Sequence, residues 1–284
     1  MKVFISVDME GISGLVRWAD VSSNGIDFER NRALMTLDTN AAIDGAFAAG
    51  ATEIVVEENH GVEDLCVLDM TLVDPRCRVI RGAGRPGATT MAGLDSGTGV
   101  VLLIGHHGRA GSFPGVMAHT ISYGGFKLVR LAGEPIGEPD FFARRAGELG
   151  VPIGMVSGDQ IVAEQVQALC PWAEAVIVKT ALGNQSANCI PPPRARELIR
   201  AGAEKTVFRA MAGELPVLQE SGPYEFEVEL RAPAGEAMQA NLASLEGFEL
   251  IADNLVRVVA PDMDLGFRRV AYLGYADRPG VTRH

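Results

Sequence analysis

Hydrophobic positions along this chain fall into short continuous runs separated by longer stretches of helical spacing. Residues 2–7 (Lys-Val-Phe-Ile-Ser-Val) predict an opening strand. Over 29–49 the apolar side chains Ala33, Leu34, Leu37, Ala41, Ala42, Ala46 and Phe47 recur at helical intervals, and Gly50 is a natural stop. A second strand is predicted over 52–57 and a short third over 77–80. Residues 99–104 (Gly-Val-Val-Leu-Leu-Ile) are apolar without interruption, as expected of a strand covered on both faces. A strand over 126–132, a helix over 138–149, a strand over 152–156, a helix over 158–169 and a strand over 174–179 follow. Strands alternating with helices predict right-handed βαβ units and a mostly parallel sheet.

The pattern changes at Pro191-Pro192-Pro193, which cannot continue a strand but can open a helix, predicted over 194–213. Residues 224–230 (Tyr-Glu-Phe-Glu-Val-Glu-Leu) alternate strictly and predict a half-buried strand. A helix over 234–245, a strand over 254–259 and a helix over 262–274 complete the reading. The expected architecture is α/β: a mostly parallel sheet flanked by helices over 1–190, with a smaller α+β part over 191–284.

With 284 residues, 47% hydrophobic and 21% charged, the chain has a globular composition, and its 33 glycines suggest many tight turns. Twenty-five basic against 36 acidic residues give a net charge of −11, which argues against a nucleic-acid partner. No secretory signal and no membrane-length apolar run is visible, so a cytoplasmic protein without a membrane partner is expected. The cysteines (Cys66, Cys77, Cys170, Cys189) lack Cys-x-x-Cys spacing, which fits a reduced compartment and disfavours a zinc ribbon or disulfide scaffold.

The candidate chemistry gathers at strand ends. Asp8 and Glu10, in Ser6-Val7-Asp8-Met9-Glu10-Gly11, lie two residues apart where the first strand stops and so point the same way. Paired carboxylates repel, and a cation is the usual reason to place them together, although a solvated strand end would look the same. His60 follows the second strand, and His106-His107 follow the run 99–104. In open α/β sheets ligands bind beyond the carboxyl ends of the strands, so Asp8, Glu10, His60 and one of His106 or His107 should converge. Carboxylate oxygen with imidazole nitrogen suits zinc and similar divalent metals.

Four of the five histidines lie between 60 and 119, and His119 closes a Gly-rich loop, expected to be flexible, where a substrate-facing acid or base could sit. Glu134 and Glu138 both follow the strand 126–132, and either could complete a metal shell. Lys179, ending the strand 174–179, is within reach of the site edge but is expected to be solvated. His-Glu-x-x-His and Gly-x-Ser-x-Gly are absent. Gly82-Ala83-Gly84-Arg85-Pro86-Gly87 matches a dinucleotide fingerprint after a possible strand, but Pro86 sits inside it and that strand is not the opening one of the fold. It leaves a nucleotide-binding protein as a competing reading.

Five segments in order resemble the zinc-dependent bacterial D-aminopeptidases of the DppA type. They are Ser6-Val7-Asp8-Met9-Glu10-Gly11-Ile12-Ser13-Gly14, His60, Gly105-His106-His107-Gly108-Arg109, Pro114-Gly115-Val116-Met117-Ala118-His119 and Pro135-Ile136-Gly137-Glu138. The resemblance spans essentially the whole chain and is strongest over 1–138. It implies two zinc ions per chain, with Asp8 shared between them, Glu10 and His60 completing one metal, and His107 and Glu138 the other. It thereby selects His107 over His106 and Glu138 over Glu134. It implies that His119 is the catalytic histidine and that hydroxide held between the metals attacks the amide of a short peptide with an N-terminal D-residue. A large ring-shaped homo-oligomer is implied too, with a decamer as one size. The chain departs from the pattern at Glu57-Glu58-Asn59 before His60, and at Pro139-Asp140-Phe141-Phe142 after Glu138. Aromatics there are expected to reshape the space beside Glu138, which keeps a non-peptide amide or lactam open as the substrate.

Overall fold

The computed structural model describes residues 1–61, 65–85 and 91–275. In chain order these form β1 (Lys2–Val7), α1 (Trp18–Val21), α2 (Phe28–Ala48), β2 (Glu53–Glu58), β3 (Arg78–Ile80), β4 (Thr98–His106), β5 (Phe126–Leu131), β6 (Glu134–Pro135) and α3 (Glu138–Glu148). There follow β7 (Ile153–Asp159), α4 (Gln160–Leu169), β8 (Glu174–Gly183), β9 (Ser186–Cys189), α5 (Pro192–Met211), β10 (Tyr224–Leu230), α6 (Glu236–Ser244), β11 (Phe248–Ala252), β12 (Leu255–Ala260) and α7 (Met263–Tyr275).

Seven strands make the first sheet, in the order β3-β2-β1-β4-β7-β8-β9, parallel except for the β8–β9 hairpin. The apolar runs explain its burial. On β1 and β4 alternate side chains serve two cores. Val3, Ile5, Val7, Val100, Leu102 and Ile104 pack under α2 and α5, while Phe4, Val101 and Leu103 face the other way. That second core also takes Phe141 and Phe142 of α3, Phe267 and Val270 of α7, and Phe126, Phe226 and Val258 of an antiparallel sheet ordered β11-β12-β10-β5-β6. The strict alternation of 224–230 appears there as predicted, with Tyr224, Phe226, Val228 and Leu230 buried. The second sheet draws β5 and β6 from before residue 190, whereas α5, opened by the prolines, packs on α2 and the first sheet. Among the described residues no helix is long and apolar enough to cross a membrane.

Chain order reverses around β1: β2 and β3 lie to one side and β4 to the other. The crevice beyond the carboxyl ends of β1 and β4 is therefore the topological switch point, where such sheets bind ligands. Glycines bring the backbones together there. Gly11 N–H donates to Gly105 O at 2.7 Å and Asp8 N–H to Ile104 O at 2.9 Å. A Cβ on Gly11 or Gly158 would stand 2.0 or 2.2 Å from the His106 carbonyl oxygen. On Gly105, whose φ is +73°, it would stand 2.3 Å from the Asp8 oxygen. Gly105→Ala combines a left-handed backbone with a clash against main chain, and should destabilise the fold by about 3 kcal/mol. Urea unfolding should register this as a lower midpoint at unchanged slope.

Gly82 and Gly84 follow the edge strand β3, and among the described residues no helix begins between β3 and β4 to receive a pyrophosphate. Arg85 from the same segment pairs with buried Glu57 at 2.6 Å. Pro86 and Gly87 of the fingerprint lie outside the described residues. The part that is described lacks the strand–turn–helix context a dinucleotide site requires.

Candidate active site

The first strand delivers Asp8 and Glu10, β2 delivers His60, β4 delivers His107, and the first turn of α3 delivers Glu138. All five are at most 7% exposed. Nδ1 of His60 faces both Asp8 Oδ1 (3.3 Å) and Glu10 Oε2 (3.0 Å). Nε2 of His107 faces Asp8 Oδ2 (3.3 Å) and Glu138 Oε1 (3.5 Å). The two oxygens of Asp8 are thus turned to two different imidazoles. Donor atoms fall into two compact groups, Asp8–Glu10–His60 and His107–His119–Glu138, each spanning no more than 4.8 Å.

The second nitrogen of each imidazole is spoken for. His60 Nε2–H donates to Val21 O (2.9 Å), His107 Nδ1–H to Gly108 O (3.0 Å) and His119 Nδ1–H to Met117 O (2.9 Å). Such bonds fix the ring orientation and leave the other nitrogen directed inward, as in metal-ligating histidines. Three buried carboxylates with inward imidazoles form a donor set that fits divalent zinc.

The charges are arranged accordingly. Burial works against the Asp8 anion, but hydrogen bonds from His107 and His60 hold it well below the usual carboxylate range. Burial is likewise outweighed at Glu138, chiefly by the charge of His107. His60 and His107 are held well above the usual imidazole range, burial being overcome by Glu10 and Asp8 in one case and by Glu138 and Asp8 in the other. Those are the protons a divalent cation displaces when it binds such a site. His119 is pushed the opposite way, by burial and then by the charge of His107, on which it stacks at 4.0 Å. His119 is thus a neutral imidazole beside a charged cluster, and burial pushes His106 down as well.

The rejected alternatives have other roles. His106 donates from Nε2 to Ser6 O (3.3 Å), its Nδ1 stays 3.9 Å from Asp8, and its ring meets the edge of Phe142. Glu134 is exposed on β6. Phe141 and Phe142, expected to reshape the substrate space, are instead core residues: Phe141 stacks on Phe226 at 5.3 Å and both approach Phe267. The loop expected to be flexible is tied down, with Val116 N–H donating to Asp159 (2.8 Å), Met117 N–H to Asn184 O (2.7 Å) and His119 N–H to Gly108 O (3.1 Å).

Lys179 is the clearest correction. It is 1% exposed rather than solvated, and burial pushes its ammonium down to about 8. Alternation along β8 places Val176 and Val178 inside and Ile177 outside, which would turn Lys179 to solvent. A register shift against β7 at Gly158/Asp159 inverts the parity, as a bulge does, and turns it inward. Beside His119 lie Trp18 and Tyr123, whose rings pack at 4.2 Å with a tilt of 37°. No motif marks them, and only the meeting of α1 with the loop before β5 reveals them.

Paired nitrogen–oxygen donor groups at the mouth of an α/β sheet, with a neutral histidine alongside, are the constellation of a metal-dependent hydrolase. Comparison with known proteins narrows this class. The model of the Peptidase M55 family, D-aminopeptidase, matches residues 1–271, and the chain belongs to that family and is an aminopeptidase. A D-aminopeptidase of Bacillus subtilis (strain 168) is 35% identical over 208 residues, 73% of either chain. The solved structure of the Zn-dependent D-aminopeptidase DppA from Bacillus subtilis, described as a self-compartmentalizing protease, is similar over 100% of both chains, with a TM-score of 0.87 and 28% identity.

Proposed function

We propose that this protein is a dinuclear zinc hydrolase that releases N-terminal D-amino acids from short peptides. Asp8 would bridge the two ions, with Glu10 and His60 completing one position and His107 and Glu138 the other. The observation that carries this reading is the orientation of Asp8, whose two oxygens face the inward nitrogens of His60 and His107 at 3.3 Å each. The Zn-dependence of the similar Bacillus protein supports the choice of metal. Its description as self-compartmentalizing supports a ring-shaped homo-oligomer here as well.

Zinc in such a site supplies Lewis acidity and lowers the pKa of water toward neutrality. The chain's own residues do the rest. His119 keeps Nδ1–H on the Met117 carbonyl, so proton traffic passes through Nε2. A neutral imidazole there can take a proton from the attacking water, and once charged can return it to the departing amine nitrogen. The stack on His107 fixes the ring plane, and Trp18 and Tyr123 meet the ring in edge contacts.

The deciding experiment measures metal per chain on protein purified without chelator, together with hydrolysis of D-Ala-D-Ala and L-Ala-L-Ala. About two zinc ions and cleavage of the D-peptide alone are expected. Two ions without peptide cleavage would move the substrate to another amide or a lactam. No metal, and no activity on adding zinc, would overturn the proposal.

A further inference from the structure

Lys179 buries an ammonium in the first sheet with no carboxylate oxygen of a described residue within 4.0 Å of its nitrogen. Placing an unpaired ion inside a protein is strongly unfavourable unless its hydrogen bonds are fully met. Here they are met by main chain. Nζ donates to the carbonyls of Glu10 (2.6 Å), Ile12 (3.0 Å) and Leu15 (2.5 Å), one acceptor for each of its three protons. All three belong to the turn that follows β1, and the first is the carbonyl of Glu10 itself. The same turn is also held by Asp38, which accepts from Ser13 N–H (3.1 Å) and Ser13 Oγ–H (2.8 Å).

We propose that Lys179 is a positioning residue for Glu10, setting the affinity of the Glu10–His60 metal position and leaving the His107–Glu138 position untouched. The inference rests on the dinuclear reading above. Without the ammonium, three carbonyl dipoles would converge on an empty centre and repel, and the peptide carrying Glu10 would swing away from His60. Among the described residues nothing comparable reaches the other position. Asp8 is tied to β4 through its N–H, His107 to its neighbour Gly108, and Glu138 to the N–H of Ile121 at 2.7 Å.

The test titrates zinc-loaded holoenzyme against a chromogenic chelator for wild type, K179M and S13A, with circular dichroism and a urea midpoint on each. Wild type should hold two equivalents tightly. In K179M one equivalent should keep its affinity and the other weaken by about 10–100-fold, the range for losing a group that orients a ligand. S13A loosens the same turn without touching the Glu10 carbonyl, and should lower the urea midpoint while retaining both equivalents. Where K179M yields no folded protein, K179Q, which keeps two donors without the charge, carries the same comparison. Unchanged affinities in the lysine variant, equal weakening of both equivalents, or the same loss in S13A would each overturn the inference. A wild-type protein holding fewer than two equivalents would instead sink the dinuclear reading, and the inference with it.

Discussion

His119→Ala should lower turnover of D-Ala-D-Ala by about 10²-fold or more while the protein keeps its full metal content. The size follows from removing the imidazole proposed to carry the proton, a role whose loss typically costs about 10²–10⁴-fold. The retention of metal follows from the proposed division of labour, in which His107 and Glu138 hold the second position with Asp8. The geometry makes this a sharp test, because the His119 donor atom lies within 4.8 Å of those of His107 and Glu138. Loss of one zinc per chain in the variant would make His119 a ligand rather than a proton carrier. Metal analysis and kcat measured on the same preparation separate the two, and retained turnover would exclude either role.

Asp8→Asn should do more damage. The carboxylate is 2% exposed, and its two oxygens face different imidazoles while Oδ1 also accepts the Met9 N–H at 2.8 Å. An amide keeps one acceptor oxygen and presents a donor NH2 where the other stood. It therefore cannot serve two cations. Bound zinc is expected to fall from two per chain to one or fewer, and turnover to fall by more than the ~10–100-fold that loss of an outer partner costs. Glu134→Gln, on exposed β6, provides the contrast and should change neither. Both variants differ from wild type by one oxygen-to-nitrogen exchange, so metal analysis and kinetics on the pair isolate position from chemistry.

Much of this site was legible because strand ends are legible. The apolar runs at 2–7, 52–57 and 99–104 mark where β1, β2 and β4 stop, and parallel strands bring their carboxyl ends together whatever lies between. Asp8, Glu10, His60 and the 106–107 pair follow from that alone. The choice of His107 did not, because neighbouring residues at a strand end face opposite ways, and only the resemblance chose. Lys179 was misread because a bulge reverses the alternation that any periodic reading assumes. Strands β9 and β11 were missed for a different reason. Ser-Ala-Asn-Cys on β9 and the short, largely exposed β11 draw their strand character from their partners β8 and β12, not from a pattern of their own. Phe141 and Phe142 were placed correctly along the chain but on the wrong side of α3, since nearness in sequence to Glu138 does not say which way a helix faces.

Gly11, Gly105 and Gly158 also bear on how such a scaffold can change its task. Each meets neighbouring main chain so closely that no side chain fits, so the floor of the crevice is drawn in backbone rather than in residues that substitution can vary. The separation between the ends of β1, β4 and β7 is therefore inherited as a unit. New substrates must be accommodated at the rim, where Trp18 and the 45% exposed Tyr123 can be exchanged without disturbing what lies beneath.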